Sequence, residues 1–238
     1  WLLLLCRRLP LPTECAIGLF CGSVRCVEET GIFVDSQKEL GEIMQTTFGL
    51  YFLQLPNREE ILFGVGLELS DCIERLLPRR HGMDIHKLSE TYKKLAVSNR
   101  ENKSHTDLLY PDAENVIRRL YSDQWLLGIA TGKSRTGLDH VLTLHNLSEL
   151  FVTKQTADSA AGKPSPEMLK NAMSDTGASA RDIFMVGDTT YDMCMAKNAG
   201  TRAIGVSWGY HTTNDLLEAG AEIVLHSYQD LLAYFQRS

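Results

Sequence analysis

The sequence predicts an α/β protein, an open parallel sheet with crossover helices, interrupted once by a helical insert. Two observations carry this. From residue 23 onward, short β-rich runs alternate with amphipathic stretches, as in successive βα units. Between Gln37 and about Leu109 the rhythm stops. Roughly seventy residues there hold no strand-like run, and Leu40, Ile43, Met44 and Phe48 recur at helical spacing. The expected division is an atypical leader over residues 1–22, a core from 23–36 and 110–238, and an inserted α-helical cap over 37–109.

The core strands are expected at Ser23 to Val27, Leu126 to Thr131, Leu150 to Thr153, Ile183 to Val186, Ala203 to Val206 and Glu222 to Leu225. In the insert, helices are expected over Lys38 to Leu53, Glu68 to Leu77 and Ile85 to Asn99. Asp35 and Ser36 begin the first of these, where a carboxylate suits the helix dipole. Tyr110-Pro111-Asp112 marks the return to the core, with Asp112 capping a helix that ends near Tyr121. Ser134 caps the next helix, Pro166 sits in the first turn of another, and Gly220 stops the helix that starts near Thr213.

At 238 residues the chain suits one core domain with a smaller insert, and its 44% apolar content supplies a buried core. A net charge of −6 argues against a nucleic-acid surface, because phosphate backbones require clustered Lys and Arg. No apolar run approaches the roughly 20 residues needed to span a bilayer, so a cytoplasmic location is expected. Four of the six cysteines (Cys6, Cys15, Cys21, Cys26) fall in the first 26 residues, and the first lysine is Lys38. No Cys pair has C-x-x-C spacing, and Leu2 to Leu5 precede Arg7 and Arg8 rather than following them. Zinc binding, a disulfide framework and a signal peptide are all poor fits. A divergent, truncated or mistranslated leader is the expectation.

Three segments carry chemistry. In Val186-Gly187-Asp188-Thr189-Thr190-Tyr191-Asp192, an apolar strand ends in Gly-Asp, and a second carboxylate follows four residues later. Ligands of open parallel sheets collect beyond the strands' carboxyl ends, and two carboxylates there suit Mg²⁺. A turn Asp followed by a helix-capping Asp gives the same pattern. In Leu126 to Lys133, a buried strand ends in Thr131-Gly132 before a helix, offering a hydroxyl and backbone N–H groups to a phosphate. An ordinary N-cap turn reads identically. In Gly162-Lys163-Pro164-Ser165-Pro166, two prolines stiffen the loop that presents Lys163, which otherwise would be a solvated loop lysine.

Taken together, in the order Thr, Lys, Asp-x-x-x-Asp, these segments resemble the second, third and fourth motifs of the haloacid dehalogenase superfamily. The resemblance extends over nearly all of residues 31 to 235. Gly31-Ile32-Phe33-Val34-Asp35-Ser36 is similar to the tail of its first motif, D-x-D-G-T-L-V-D-S. Gly200 to Tyr210 looks like a strand and loop of its phosphoglycolate-phosphatase-like members. The resemblance implies a Rossmann-like core with a helical cap, and Mg²⁺-dependent hydrolysis of a small phosphorylated metabolite, with phosphoglycolate the best guess. Pyrophosphate, nucleotides and sugar phosphates follow behind it. It implies that Thr131 and Gly132 bind phosphate, that Lys163 supplies positive charge, and that Asp188 and Asp192 hold or orient the metal.

The first motif departs from the family pattern. Counting back from Gly31 puts Glu28 in the nucleophile slot and Thr30 in the acid/base slot, and Ile32 replaces the family Thr. Glutamate sets the carboxylate one methylene further out, and a misplacement of roughly 1 Å can cost on the order of 10² in rate. Threonine cannot donate a proton as a carboxylic acid does, a loss of about 10²–10⁴. Arg25 also sits where a buried strand should be apolar. Three readings stay open: an active phosphatase whose leader is misread, a non-catalytic pseudo-phosphatase that binds metal or phosphate, and a dehalogenase-type enzyme. The metal-type carboxylate pair makes the last the weakest. The chain as written is expected to turn over little.

Among other residues, Gly64, Gly66 and Glu68 read as a helix-capping loop within reach of the core. His140 reads as a packing or surface residue. His211, beyond a strand's carboxyl end, falls where a site-edge role is open.

Overall fold

The computed structural model describes residues 3–7, 21–22, 37–79, 82–102 and 109–237. Within them a seven-stranded sheet is flanked by helices on both faces. The strands are β1 (Leu3–Arg7), β2 (Cys21–Gly22), β3 (Trp125–Thr131), β4 (Phe151–Thr156), β5 (Phe184–Gly187), β6 (Arg202–Val206) and β7 (Ile223–Leu225). Five of the expected strands appear, with ends shifted by a few residues. The expected strand at Ser23 to Val27 lies outside the described residues, as do Arg25, Glu28, Thr30 and the first-motif segment 31–36.

One departure concerns the middle of the sheet. β3 to β7 pair in parallel where they adjoin, but β1 pairs antiparallel with both β3 and β5, Leu4 facing Gly128 and Leu3 facing Val186. The leader therefore contributes a strand, and the sheet is mixed. An unbroken apolar run, Leu3-Leu4-Leu5-Cys6, suits a strand enclosed between two others. β2 pairs in parallel with the far end of β3, Cys21 facing Ala130 and Gly22 facing Thr131. Because β4 occupies the other edge of β3 along residues 127–131, β1 and β2 share one edge. The slot between β3 and β5 is thus filled by two short pieces.

Alternation along the strands divides the core into two layers. Trp125, Leu127, Ile129, Phe184, Val186, Ile204, Val206 and Leu225 face one side. There they meet α5 (Ala113–Ser122), α6 (Arg135–Leu144) and α10 (Tyr228–Arg237). Ile183, Met185, Ala203 and Val224 face the other side, covered by α7 (Glu167–Thr176), α8 (Thr190–Ala199) and α9 (Thr213–Ala219).

The helical stretch consists of α1 (Gln37–Leu50), α2 (Arg58–Gly64), α3 (Leu69–Leu76) and α4 (Ile85–Asn102). It buries a cluster of its own, in which Phe48, Ile73, Leu88 and Tyr92 are almost fully enclosed. α2 escaped the periodicity reading because seven residues show too little of a repeat. Its start is nonetheless written locally: Asn57 accepts from the Glu60 N–H, and Glu60 accepts from the Asn57 N–H. Among the described residues, no helix is long and apolar enough to cross a membrane.

Two of the expected caps hold, while Pro166 stands just before α7 rather than within its first turn. Ser134 accepts from Gly137 N–H, and Gly220 ends α9 with φ 116°. Thr212 rather than Thr213 caps α9. Asp112 does not cap α5 with its side chain. It adopts a left-handed conformation, and its carboxylate accepts from Gln229 on α10 instead. That tertiary bond outcompetes the local one.

Phe235 on α10 closes the first layer, edge-on to Trp125, Phe184 and Tyr234 at 5.2, 5.2 and 5.1 Å. Phe235→Ala would leave a cavity that these rings cannot refill. We expect a loss of about 3–5 kcal/mol in denaturant unfolding.

Candidate active site

The site is built where β5 ends. Apolar Phe184-Met185-Val186 drive the strand into the core, and the chain turns at Gly187-Asp188. α8 then begins with a capping box, in which Thr189 Oγ1 accepts from Asp192 N–H and Asp192 Oδ2 accepts from Thr189 N–H at 2.9 Å. The same Oδ2 also accepts from Asp188 N–H at 3.2 Å. Its other oxygen is ion-paired with the Lys163 ammonium, and both side chains are enclosed. Asp192 therefore does the work of a capping residue and binds the lysine as well. Both of its oxygens are committed.

Asp188 differs. It is 3% exposed, its Oδ2 accepts from Tyr210 N–H at 3.1 Å, and its Oδ1 takes no hydrogen bond from the described residues. Burial and the negative charge of Asp192 push its pKa up to about 6, opposed in part by Lys163 and the Tyr210 N–H. The loop after β6 crosses so closely that a Cβ on Gly209 would fall 2.2 Å from Asp188 Cβ. Only glycine lets the backbone pass there.

Thr131 ends β3 at the same edge of the sheet, on the far side of the slot filled by β1 and β2. Two inter-strand spacings, roughly 10 Å, separate its strand from β5. Its Oγ1 accepts from Lys133 N–H at 3.0 Å, which leaves the hydroxyl proton available to donate. Gly132 is buried at the same turn, and Lys133 is buried at 1% exposure. Nothing in the local sequence distinguishes a buried lysine from a solvated one, so the burial of Lys133 is visible only in the structure. The structure thus joins Lys163, Asp192 and Asp188 directly and sets Thr131 on the same rim. Glu28 lies outside the described residues.

Lys163 reaches its position through a loop closed by Ser165 N–H on the Gly162 carbonyl, and Asn198 holds the Pro164 carbonyl at 2.9 Å. Beside it a cavity of about 280 Å³ is lined by Glu68, Ala157, Asp158, Ala160, Ala161 and Gly162. Glu68 stands at the start of α3 without a side-chain capping bond and faces this cavity. From the sequence alone this residue reads as part of a helix-capping loop. Gly66 in the same loop has φ 109° and packs on Tyr191 and Thr189. His140 is exposed on α6, away from these groups.

His211 is 4% exposed and adjoins the carboxylates. Its backbone N–H donates to the Asp188 carbonyl, and its Nδ1 accepts from Thr190 N–H at 3.0 Å. Burial lowers its pKa below the ordinary histidine value, against the pull of Asp192 and Asp215. Its ring is neutral at pH 7, as an Nδ1 acceptor requires.

The donor set fits a hard divalent cation. Asp188 is a buried carboxylate of raised pKa, and its Oδ1 takes no hydrogen bond from the described residues. Among the described residues no cluster of three or more His, Cys, Asp or Glu side chains forms. Backbone carbonyl oxygens and waters would complete a shell of the kind Mg²⁺ retains.

In metal-free protein the raised pKa of Asp188 has a definite sign. The folded state holds its proton more tightly than the unfolded chain, so stability falls as pH rises from about 4 to about 6. Asp188→Asn removes the buried charge and keeps an acceptor for Tyr210. With chelator present at pH 7.5, we expect this variant to melt higher than the parent by on the order of 1–3 kcal/mol of stability. Thermal melts at pH 4 and 7.5 check both statements.

Comparison with known proteins identifies the family and the fold. The model of the haloacid dehalogenase-like hydrolase family matches residues 31–206. A pyrophosphatase, PpaX, from Anoxybacillus flavithermus is 28% identical over 207 residues, covering 85% of this chain and 92% of the relative. A probable phosphatase, IndB, from Dickeya dadantii is 37% identical over 126 residues, covering 52% of this chain and 55% of that one. The crystal structure of a predicted phosphoglycolate phosphatase from Haemophilus somnus superposes with a TM-score of 0.75 at 18% identity, covering 91% of this chain and 97% of its own. At that identity the likeness concerns the fold alone. With its family model spanning most of its length and its strand-end residues gathered on one rim, the chain belongs to the haloacid dehalogenase-like hydrolases.

Proposed function

We propose that the chain is a Mg²⁺-dependent phosphatase for a small phosphate monoester. The observation that carries the reading is the buried Lys163–Asp192 pair beside Asp188. It gathers an ammonium and an under-neutralised carboxylate at the carboxyl edge of the sheet, with the Thr131 hydroxyl on the same rim. Phosphoryl transfer is chiefly positioning and charge stabilisation, and these groups are suited to both.

In this reading the Lys163 ammonium draws in a phosphoryl oxygen, while the Thr131 O–H and the Gly132 N–H donate to others. Asp192 holds Lys163 extended toward the phosphate and fixes the Asp188 loop through two backbone N–H bonds. Asp188 presents the oxygen that would hold Mg²⁺, with Asp192 orienting it from behind. When bound, the metal supplies positive charge against the phosphoryl oxygens. The carboxylate in the nucleophile slot is Glu28. Helices α1 to α4 act as a cap, and the cavity between Glu68 and the 157–162 loop takes the organic part of the ester. Its volume of about 280 Å³ suits a small metabolite rather than a polymer.

Phosphoglycolate is the favoured substrate because the sequence resembles that branch of the family. Pyrophosphate is a second candidate, since relatives named as pyrophosphatases align with most of this chain. A location in the cytoplasm, and no nucleic-acid or membrane partner, accord with the net charge of −6.

Two measurements test the reading. Mg²⁺ should raise the melting temperature of the parent protein at pH 7.5 and leave that of Asp188→Asn unchanged. Absence of a shift in both would remove the metal from the proposal. Hydrolysis of p-nitrophenyl phosphate with Mg²⁺ should be weak for the parent and rise by about 10²–10⁴ when Glu28→Asp is combined with Thr30→Asp. A repaired chain that stays inactive, yet still binds phosphate, would favour a pseudo-phosphatase that holds ligands without turning them over.

A further inference from the structure

We propose that His211 is a positioning residue. It ties the Asp188 loop and the first turn of α8 to α2 of the helical stretch, so that the cation site and its helical cover are set together. The proposal rests on the cation reading of Asp188 given above, but its main contacts stand apart from it.

On the core side His211 makes two bonds. Its N–H donates to the Asp188 carbonyl at 3.1 Å, and its Nδ1 accepts from Thr190 N–H at 3.0 Å. Thr190 is the first residue of α8, so its N–H has no partner within the helix. Thr189 Oγ1 satisfies the N–H of Asp192, and the imidazole satisfies that of Thr190. The turn between Asp188 and Asp192 is therefore pinned at two successive points, one from within the helix and one from across the site.

On the other side the imidazole lies flat against Phe63 of α2, with ring centroids 4.8 Å apart and planes 8° apart. Tyr191 meets it edge-on at 5.7 Å. The Tyr191 hydroxyl donates to the Phe63 carbonyl at 3.3 Å and accepts from Arg75 of α3 at 3.1 Å. The Arg75 guanidinium covers the Phe63 ring at 4.5 Å. Gly66 completes the contact, since a Cβ there would fall 2.7 Å from Tyr191 Cδ2. One side chain thus contacts the carboxylate-bearing turn through hydrogen bonds and the helical stretch through its ring face. Moving α2 away would free the imidazole to rotate and loosen the bond to Thr190.

Three variants of the full chain separate the contacts. His211→Asn keeps an acceptor near the Nδ1 position and loses the stacking face. His211→Ala loses both, and Phe63→Ala loses the stack together with the Arg75 contact and touches neither carboxylate. The readouts are Mg²⁺ affinity by calorimetry and the exchange rate of the Thr190 amide hydrogen in metal-free protein. Groups that orient a ligand from behind commonly change metal affinity by 10–100-fold. We expect His211→Ala to weaken Mg²⁺ by about tenfold or more and to speed Thr190 exchange by a similar factor. His211→Asn should recover most of the Mg²⁺ affinity. Phe63→Ala should speed Thr190 exchange several-fold.

A folded His211→Ala with parental Mg²⁺ affinity and parental Thr190 exchange would overturn the proposal. So would a Phe63→Ala protein with unchanged exchange, which would disconnect α2 from the turn. Should His211→Ala fail to fold, the other two variants decide the matter. If the parent itself takes up no Mg²⁺, the metal reading fails, and amide exchange still judges whether His211 holds the turn.

Discussion

Two carboxylates four residues apart are buried at the end of β5, and the Lys163 ammonium is ion-paired with the second of them. Asp192 receives Lys163 on one oxygen and two backbone N–H groups on the other. Its charge is matched. Among the described residues Asp188 receives one N–H, from Tyr210, and it keeps an elevated pKa of about 6. The rest of the site follows from this inequality. Burying an ion pair stabilises little in itself, but removing one partner from it is costly because the other is left without compensation. Lys163 and Asp192 are therefore mutually fixed, and the remaining negative charge lies on Asp188, where a cation has reason to bind.

Several features without chemistry of their own serve that arrangement. Gly209 allows the loop after β6 to cross Asp188 at a distance no side chain would permit. The stiff 162–166 loop carries Lys163 inward, and Asn198 anchors it to the end of α8. Thr189 and His211 hold the turn between the carboxylates from two directions. Such contacts make a site rigid before any ligand arrives, which is where electrostatic preorganisation comes from.

The mixed sheet bears on the same site. In an all-parallel arrangement, the strand between β3 and β5 would end between Thr131 and Asp188. Here β1 enters that slot antiparallel and β2 completes it at the carboxyl end. An antiparallel strand needs no crossover helix, so a short leucine run can fill the space wherever the chain permits it. The hydroxyl and the carboxylates are consequently held on opposite sides of the central strand position, a span that a phosphoryl group and a cation could share.

By itself the sequence determined the βα alternation, the helical stretch and the three segments that end at one edge of the sheet. These are local properties: strand period, helix period, and glycine or proline at a turn. It also marks Thr131 and Asp188, polar residues where apolar strands end, Lys163 in a loop with two prolines, and Asp192 four residues after Asp188. Only the tertiary structure distinguished the two aspartates, since their identical side chains differ in partners contributed by residues 163 and 210. It likewise drew Asp112 away from its helix toward Gln229, buried Lys133, and brought Glu68 to the wall of a cavity. His211 became a link between two parts of the molecule because Phe63, about 150 positions earlier, packs against its ring. Contacts of that separation depend on how the chain closes on itself, and periodicity and turn chemistry hold no record of it.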